Sequence, residues 1–433
     1  MAVAYELGRY RIREVRLATG FRIPLLCRDE VPVYETTYWV LGSLVPKGNA
    51  FNTMVSKLRA LAHWLSMQEG RGGIEWAERV RSGKFLSPGE TSEAQMLMGL
   101  GVHLHDPEKA RTVKLRVASH IQAARVGFLR DYLCWHAERC IYGLQTSDHA
   151  RVSKNYEFWL KSWVTDATTE TNERQPSLAS AGLTSAQREL FLTVIKPGNP
   201  SNPFEPGMQV RNYAILMMLY EHGMRMGEAL KLRTDDVFFD RMVFQIAARK
   251  HDKHETRGRA PGGAKRGKGR ERLFSRVSMD ALQAWMDYDR MEEARFPGAA
   301  KCPYVFVSER WDPEKEMVKP LSVRRLSALF EILRTRFPER RAEHRLVAVG
   351  FDSHFSPHDL RHDWCVRYVL ARHQGWTAND DRTIRYEMGW TERSKMPAEY
   401  MRLALRDLGG KVLEKTSAER IYEAMKLSEH MPF

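Results

Sequence analysis

Cysteine is scarce in this chain. Cys27, Cys134, Cys140, Cys302 and Cys365 are five residues in 433, odd in number and without a CxxC pair. That pattern excludes a disulfide framework, argues against a structural zinc site, and fits a reducing compartment. Long apolar runs are missing as well. No stretch approaches the roughly 20 residues that span a bilayer, and residues 1–50 lack the apolar core of a signal peptide, so the chain reads as soluble and intracellular with no membrane partner. Gly262 to Lys268 fits GxxxxGK, but Gly269 stands where the magnesium-holding Ser or Thr is required and a strand follows, so this is not a P-loop.

What is abundant is positive charge. The net charge is +14 with 28% charged residues, a globular composition with a basic excess, which points to a polyanionic partner. The length suggests two or three domains.

Residues 1–35 alternate short apolar and basic groups, as in Tyr10-Arg11-Ile12-Arg13, and predict one or two strands in an N-terminal extension. A helical domain is expected over 36–165. Phe51, Met54, Val55, Leu58, Leu61, Ala62 and Leu65 recur at steps of three and four and mark one apolar face, with Lys57, Arg59 and His63 opposite. A second long helix is expected from Val113 to Gly143. Residues 166–182 are polar and read as a linker. A second domain is expected over 183–410, opened by the capping box Thr184-Ser185-Ala186-Gln187, and a C-terminal helix over 411–433.

Within 183–410 the segment from Tyr213 to Tyr220 is apolar almost all round and predicts a buried helix ended by Gly223. Arg225 then opens a short helix with Glu228 one turn on. A surface ion pair and a carboxylate that orients a guanidinium towards phosphate both fit. Met242 to Ala247 and Arg272 to Val277 predict a hairpin, and from Arg249 to Arg276 eleven Lys/Arg stand against three Asp/Glu. Arg249, Lys253, Arg257, Arg259, Lys265, Arg266 and Lys268 are the candidate DNA-binding cations of a flexible loop that orders on nucleic acid. Asp280 to Met291 is expected as helix and Tyr304 to Val307 as strand. In Ser356-Pro357-His358-Asp359-Leu360-Arg361-His362, Pro357 starts a helix that sets His358 and Arg361 on one face. That arrangement suits phosphate, and equally a capped surface helix. A helix from Thr383 to Met388 leads to Gly389-Trp390 and then to Tyr400, whose aromatics also suit core packing.

Arg225 in Gly-Met-Arg-Met-Gly-Glu, His358 and Arg361 in Pro-His-Asp-Leu-Arg-His, Gly389-Trp390 and Tyr400 occur in an order and spacing that resembles the tyrosine recombinase (phage integrase) family. The resemblance covers residues 184 to about 405; residues 36–165 resemble the family's core-binding domain by position and charge only. It implies a mainly α fold with a small antiparallel sheet (α+β), two domains closing as a C-shaped clamp on double-stranded DNA at a specific recombination site, and a homo-oligomer, a dimer on one site and a tetramer in synapsis. The implied location is the cytoplasm, with the nucleoid. The implied catalytic set is Tyr400 as nucleophile, Arg225 and Arg361 on the phosphate, His358 in proton transfer with the nucleophile or on the phosphate, and Trp390 as indole donor or brace, with Glu228 in support. Trp390 has no second ring nitrogen, so acid-base work there is excluded. The family's lysine falls on Lys250 or, alternatively, Lys268. No metal, ATP or other cofactor is called for, since guanidiniums supply the charge and a phosphotyrosyl bond keeps the energy for rejoining.

The gap from Trp390 to Tyr400 is one residue longer than usual, which predicts a small bulge near Pro397. Tyr386 and Tyr422 are weaker nucleophile candidates. In related recombinases a C-terminal helix such as 411–433 docks on a neighbouring subunit; folding back on its own domain is the alternative. A type IB topoisomerase, or a DNA-binding protein of recombinase descent that no longer cleaves, would share parts of this pattern.

Overall fold

A computed structural model of the chain describes residues 9–69, 76–100, 117–165, 182–249, 252–257, 261–262, 269–341, 348–406 and 408. It divides into two compact units, Met1–Arg174 and Gln175–Phe433.

The first unit begins with strands β1 (Tyr10–Arg16), β2 (Arg22–Arg28) and β3 (Val31–Pro32), paired antiparallel in that order. Helices follow: α1 (Tyr34–Trp39), running on as a π turn over Val40–Leu44, then α2 (Phe51–Glu69), α3 (Trp76–Arg81), α4 (Pro88–Met98), α5 (Ser119–Tyr142) and α6 (Thr146–Thr165). The strands are not a separate extension, because Tyr10 and Leu26 are buried in one core with Trp39, Leu58, Leu61, Leu129 and Trp163. The expected basic face of α2 is also corrected. Arg59 is exposed, but Lys57 is buried on Asp131, and His63 is buried with Nε2 on the Leu97 carbonyl at 2.9 Å. Packing of α4 and α5 around α2 leaves only a narrow outer stripe, and a buried cation needs the partner Asp131 supplies.

The second unit holds α7 (Ser185–Val194), α8 (Gln209–His222), α9 (Met226–Leu230), β4 (Val237–Phe238), β5 (Val243–Ile246), β6 (Arg270–Leu273), α10 (Arg276–Asp287), β7 (Val307–Asp312), β8 (Met317–Pro320), α11 (Val323–Arg336), β9 (Arg340–Arg341), β10 (Ala348–Val349), α12 (Pro357–Arg372), α13 (Ala378–Met388) and a last helix, α14, over 396–406. The fold is mainly α with small antiparallel sheets, β4-β5-β6, β7-β8 and β9-β10. The expected box at Thr184 forms, its Oγ1 accepting from the Gln187 amide while Gln187 Oε1 accepts from the Thr184 amide. As its composition dictates, α8 runs through the core, with Ile215, Leu216, Met218 and Leu219 fully enclosed.

Several boundaries differ from the sequence expectation. The second hairpin strand spans Arg270–Leu273 rather than Arg272 to Val277, because Ser275 caps α10 by accepting from the Ser278 amide. That cap also starts the helix at Arg276 rather than Asp280. Around Tyr304 the chain makes only an isolated bridge to Arg233, and the strand proper starts at Val307. Pro397 forms no bulge: it sits in the first turn of α14, where a missing N–H costs nothing, just after the turn at 391–395.

Among the described residues, no helix is long and apolar enough to cross a membrane.

Candidate active site

Three chain reversals bring the site together, and two of them are glycines in the left-handed region. Gly223 ends α8 at φ 54° and Gly389 ends α13 at φ 57°, a conformation that favours glycine. The third is Pro357, first residue of α12, where Ser356 N donates to Asp359 Oδ2 at 2.8 Å in a capping box.

Just past Gly223, Arg225 caps α9. Its Nη1 donates to Glu228 Oε1 at 2.9 Å and its backbone N–H to Oε2 at 3.0 Å. Glu228 is buried, and Arg270 reaches it from β6 with both terminal nitrogens, at 3.1 and 3.0 Å, while Arg270 Nε donates to the Glu387 carbonyl at 3.0 Å. One carboxylate thus lies between two guanidiniums. Burial would raise its pKa, but Arg270 and then Arg225 outweigh burial and hold it at about 2.

Arg361 is buried on α12. Its Nη1 donates to the Gly223 carbonyl at 2.7 Å and its Nη2 to the Met388 carbonyl at 2.6 Å, the two helix ends just described. Burial, and next the positive charge of Arg225, lowers it to about 10, so it remains a cation at neutral pH. Its guanidinium carbon lies 5.8 Å from the Trp390 ring centroid. Trp390 in turn stacks on Tyr400, at 5.6 Å between centroids with the planes 10° apart.

Tyr400, carried by α14, is 2% exposed. Burial pushes its phenol well above the ordinary value, with the nearby Cys365 thiol adding to this and the charges of Arg361 and Arg225 opposing it. Its hydroxyl lies 2.5 Å from Nδ1 of His362. His362 packs edge-on against His358, ring centroids 4.2 Å apart. Burial, followed by the charges of His358 and Arg361, lowers His362 to about 4 and keeps its ring neutral.

The structure therefore brings Arg225, Arg361, Trp390, Tyr400 and Glu228 into one neighbourhood. For His358, expected in proton transfer with the nucleophile or on the phosphate, the structure adds a neighbour: the ring on the Tyr400 hydroxyl is that of His362, one helical turn further along. Two of the expected DNA-binding cations are corrected. Arg249 sends both terminal nitrogens to Asp236 at 2.7 and 2.6 Å. Arg257 is 5% exposed and spends its donors on Glu255 and the carbonyls of Leu230 and Leu321. Arg257 serves the fold, since a buried guanidinium must be paired, and Arg249 is half-buried on its carboxylate. Lys253 is exposed. Lys250, Arg259, Lys265, Arg266 and Lys268 lie outside the described residues.

Sequence reasoning missed two site residues. Arg270 counted only as one charge of a basic loop, although it and Arg272 alternate with Glu271 and Leu273 and so share the inward face of β6. His362 was within the quoted motif, and its spacing of four from His358 puts both on one face of α12.

Residues 195–406 match the model of the phage integrase family, and the whole constellation lies inside that span. The second unit is a phage integrase family domain. That match supports a DNA breaking-rejoining enzyme of the tyrosine recombinase kind. Solved structures similar to it include the Tn1549 transposon integrase in complex with transposon right end DNA, at 15% identity over 87% of this chain and 99% of that one, with a TM-score of 0.46. The XerH site-specific recombinase bound to palindromic difH substrate is similar at 15% identity over 83% of this chain and 88% of that one, TM-score 0.40. The XerA recombinase is similar at 14% identity over 87% and 97%, TM-score 0.32. No curated protein matches the chain.

Proposed function

We propose that this integrase-domain protein is a site-specific recombinase that cuts and rejoins double-stranded DNA through a 3′-phosphotyrosyl bond to Tyr400, without metal or ATP. The observation that carries the reading is the Tyr400 phenol, buried against Trp390 and within the electrostatic influence of both Arg361 and Arg225. As Oη attacks phosphorus, negative charge builds on the non-bridging oxygens, and two fixed guanidiniums are suited to stabilise it. Preorganised donors of this kind are typically worth roughly 3 to 4 kcal/mol each. The bridging 5′-oxygen leaves with a proton from a hairpin lysine, Lys250 or, alternatively, Lys268. His358 contacts the phosphate, and the indole N–H of Trp390 donates to it or braces the pocket. The phosphotyrosyl bond conserves the energy of the one broken, so a second strand's hydroxyl reverses the attack. A dimer on one site and a tetramer in synapsis would supply the partner strand.

The test is covalent trapping on a nicked duplex, its sequence enriched by binding from a random pool. Trapping by the full chain that disappears in Tyr400→Phe is the expected result. Binding with no covalent species would leave a DNA-binding protein that no longer cleaves. Relaxation of one plasmid without strand exchange between two sites would indicate topoisomerase chemistry instead.

A further inference from the structure

We propose that His362 is the base that takes the proton from the Tyr400 hydroxyl. The inference rests on the reading of Tyr400 as the nucleophile. The geometry that points to it is direct: Nδ1 of His362 lies 2.5 Å from Oη, at the short end of the range for an O–H donor. His358, Arg361, His362 and Cys365 sit at i, i+3, i+4 and i+7 on one face of α12 and divide the work by depth. Arg361 is fixed by two carbonyls, His362 meets the phenol, and His358 packs edge-on against the His362 ring. Trp390 stacks on the Tyr400 ring, so the phenol contacts both an indole and an imidazole.

A neutral imidazole carries its proton on one nitrogen only. With that proton on Nε2, Nδ1 is an acceptor and the phenol donates to it. Burial and the neighbouring charges of His358 and Arg361 keep the ring neutral before DNA arrives. When a phosphate settles on Arg361, its negative charge favours the imidazolium that proton transfer creates. In the forward step the Oη–H bond breaks and the proton passes to Nδ1; the Oη–P bond forms, the P–O5′ bond breaks, and the departing 5′-oxygen takes its proton from the hairpin lysine. Rejoining returns each proton to its origin.

The experiment compares the full chain with His362→Asn and His362→Ala on two nicked duplexes, one ordinary and one carrying sulfur at the bridging 5′ position. Asn sets an oxygen where Nδ1 stands, so it keeps an acceptor for the phenol but cannot take a proton. The sulfur leaves without needing a proton and so removes the lysine's part. The expected result is a loss of trapping rate of about 100-fold or more in both variants, the usual scale for a proton-transfer group, and equal on both duplexes. A fluorinated, more acidic tyrosine at position 400 should restore His362→Asn at least tenfold relative to its effect on the unsubstituted chain, which a merely structural role of His362 would not produce.

Trapping by His362→Asn at the rate of the parent chain would overturn the assignment, as would a defect erased by the bridging sulfur or one untouched by the acidic tyrosine. Failure of the parent chain to trap at all, or trapping that survives Tyr400→Phe, would instead overturn the reading of Tyr400.

Discussion

The indole of Trp390 lies flat against the phenol of Tyr400, ring centroids 5.6 Å apart and planes 10° from parallel. The stack fixes the plane of the phenol, and with it the direction of its hydroxyl. An aromatic pair is worth about 0.5 to 1.5 kcal/mol beyond its buried area, so Trp390→Ala should slow covalent trapping by about 2- to 12-fold. Trp390→Phe, which keeps a ring but loses the N–H, should stay close to the parent chain if bracing is the indole's role. A larger loss in Phe than in Ala would transfer the weight to the N–H.

Glu228 is shared between Arg225 and Arg270, so neutralising it leaves two facing cations in a buried site. Glu228→Gln should destabilise the second unit by about 3 to 5 kcal/mol, the usual scale for breaking a buried pair, and should lower trapping as Arg225 loses its anchor. Adding Arg270→Gln to that variant removes the excess charge and should return part of the stability. Denaturant melts of both single variants and the double variant measure the coupling. Additive losses would mean that the two guanidiniums do not depend on the shared carboxylate.

On the proposed reading the leaving oxygen takes its proton from one lysine. Lys250→Ala is expected to cut trapping on an ordinary nicked duplex and to recover on a duplex with a bridging 5′ sulfur, whose thiolate departs unaided. Lys268→Ala should lose only DNA affinity, in proportion to one phosphate contact, and mainly at low salt, with a shallower salt dependence than the parent chain. Recovery in the Lys268 variant instead would reverse the assignment.

Acid should loosen the protein before carboxylates titrate. His362 is lowered to about 4, and His222 and His63 are lowered as well, each chiefly by burial. In the unfolded chain these rings bind protons near pH 6.5, while the folded state resists them. Their contribution is therefore complete above about pH 6.5 and is lost as pH falls towards about 4. Thermal melts through that window should show the decline. His222→Gln, which still offers a partner to Ser278 Oγ (2.7 Å from His222 Nε2) and has no proton to gain, should flatten it. An unchanged slope would put the lability elsewhere.

The elements whose periodicity is strong were legible from the residues alone. The all-round apolar helix before Gly223, the capping box at Thr184, the helix start at Pro357, and the convergence of Arg225, Arg361, Trp390 and Tyr400 all follow from spacing together with the family resemblance. What escaped depends on which side of an element faces inward when its neighbours are unknown. Lys57, His63, Arg257 and Arg270 are polar side chains on inward faces, and each is tolerated only because Asp131, a carbonyl, Glu255 or Glu228 waits there from a distant part of the chain. Composition counts such residues as surface charge. His362 escaped for a related reason: its partner, Tyr400, lies 38 positions away, and only packing of α14 on α12 brings the ring to the hydroxyl.

The anchoring of Arg361 differs in kind from that of Arg225. Arg225 is held by a carboxylate, whereas Arg361 is steadied by peptide carbonyls at the ends of α8 and α13. Carbonyl dipoles orient a guanidinium without cancelling its formal charge. An incoming phosphodiester therefore meets at Arg361 a cation with no carboxylate bonded to its terminal nitrogens, set in place by main chain that no side-chain substitution can delete.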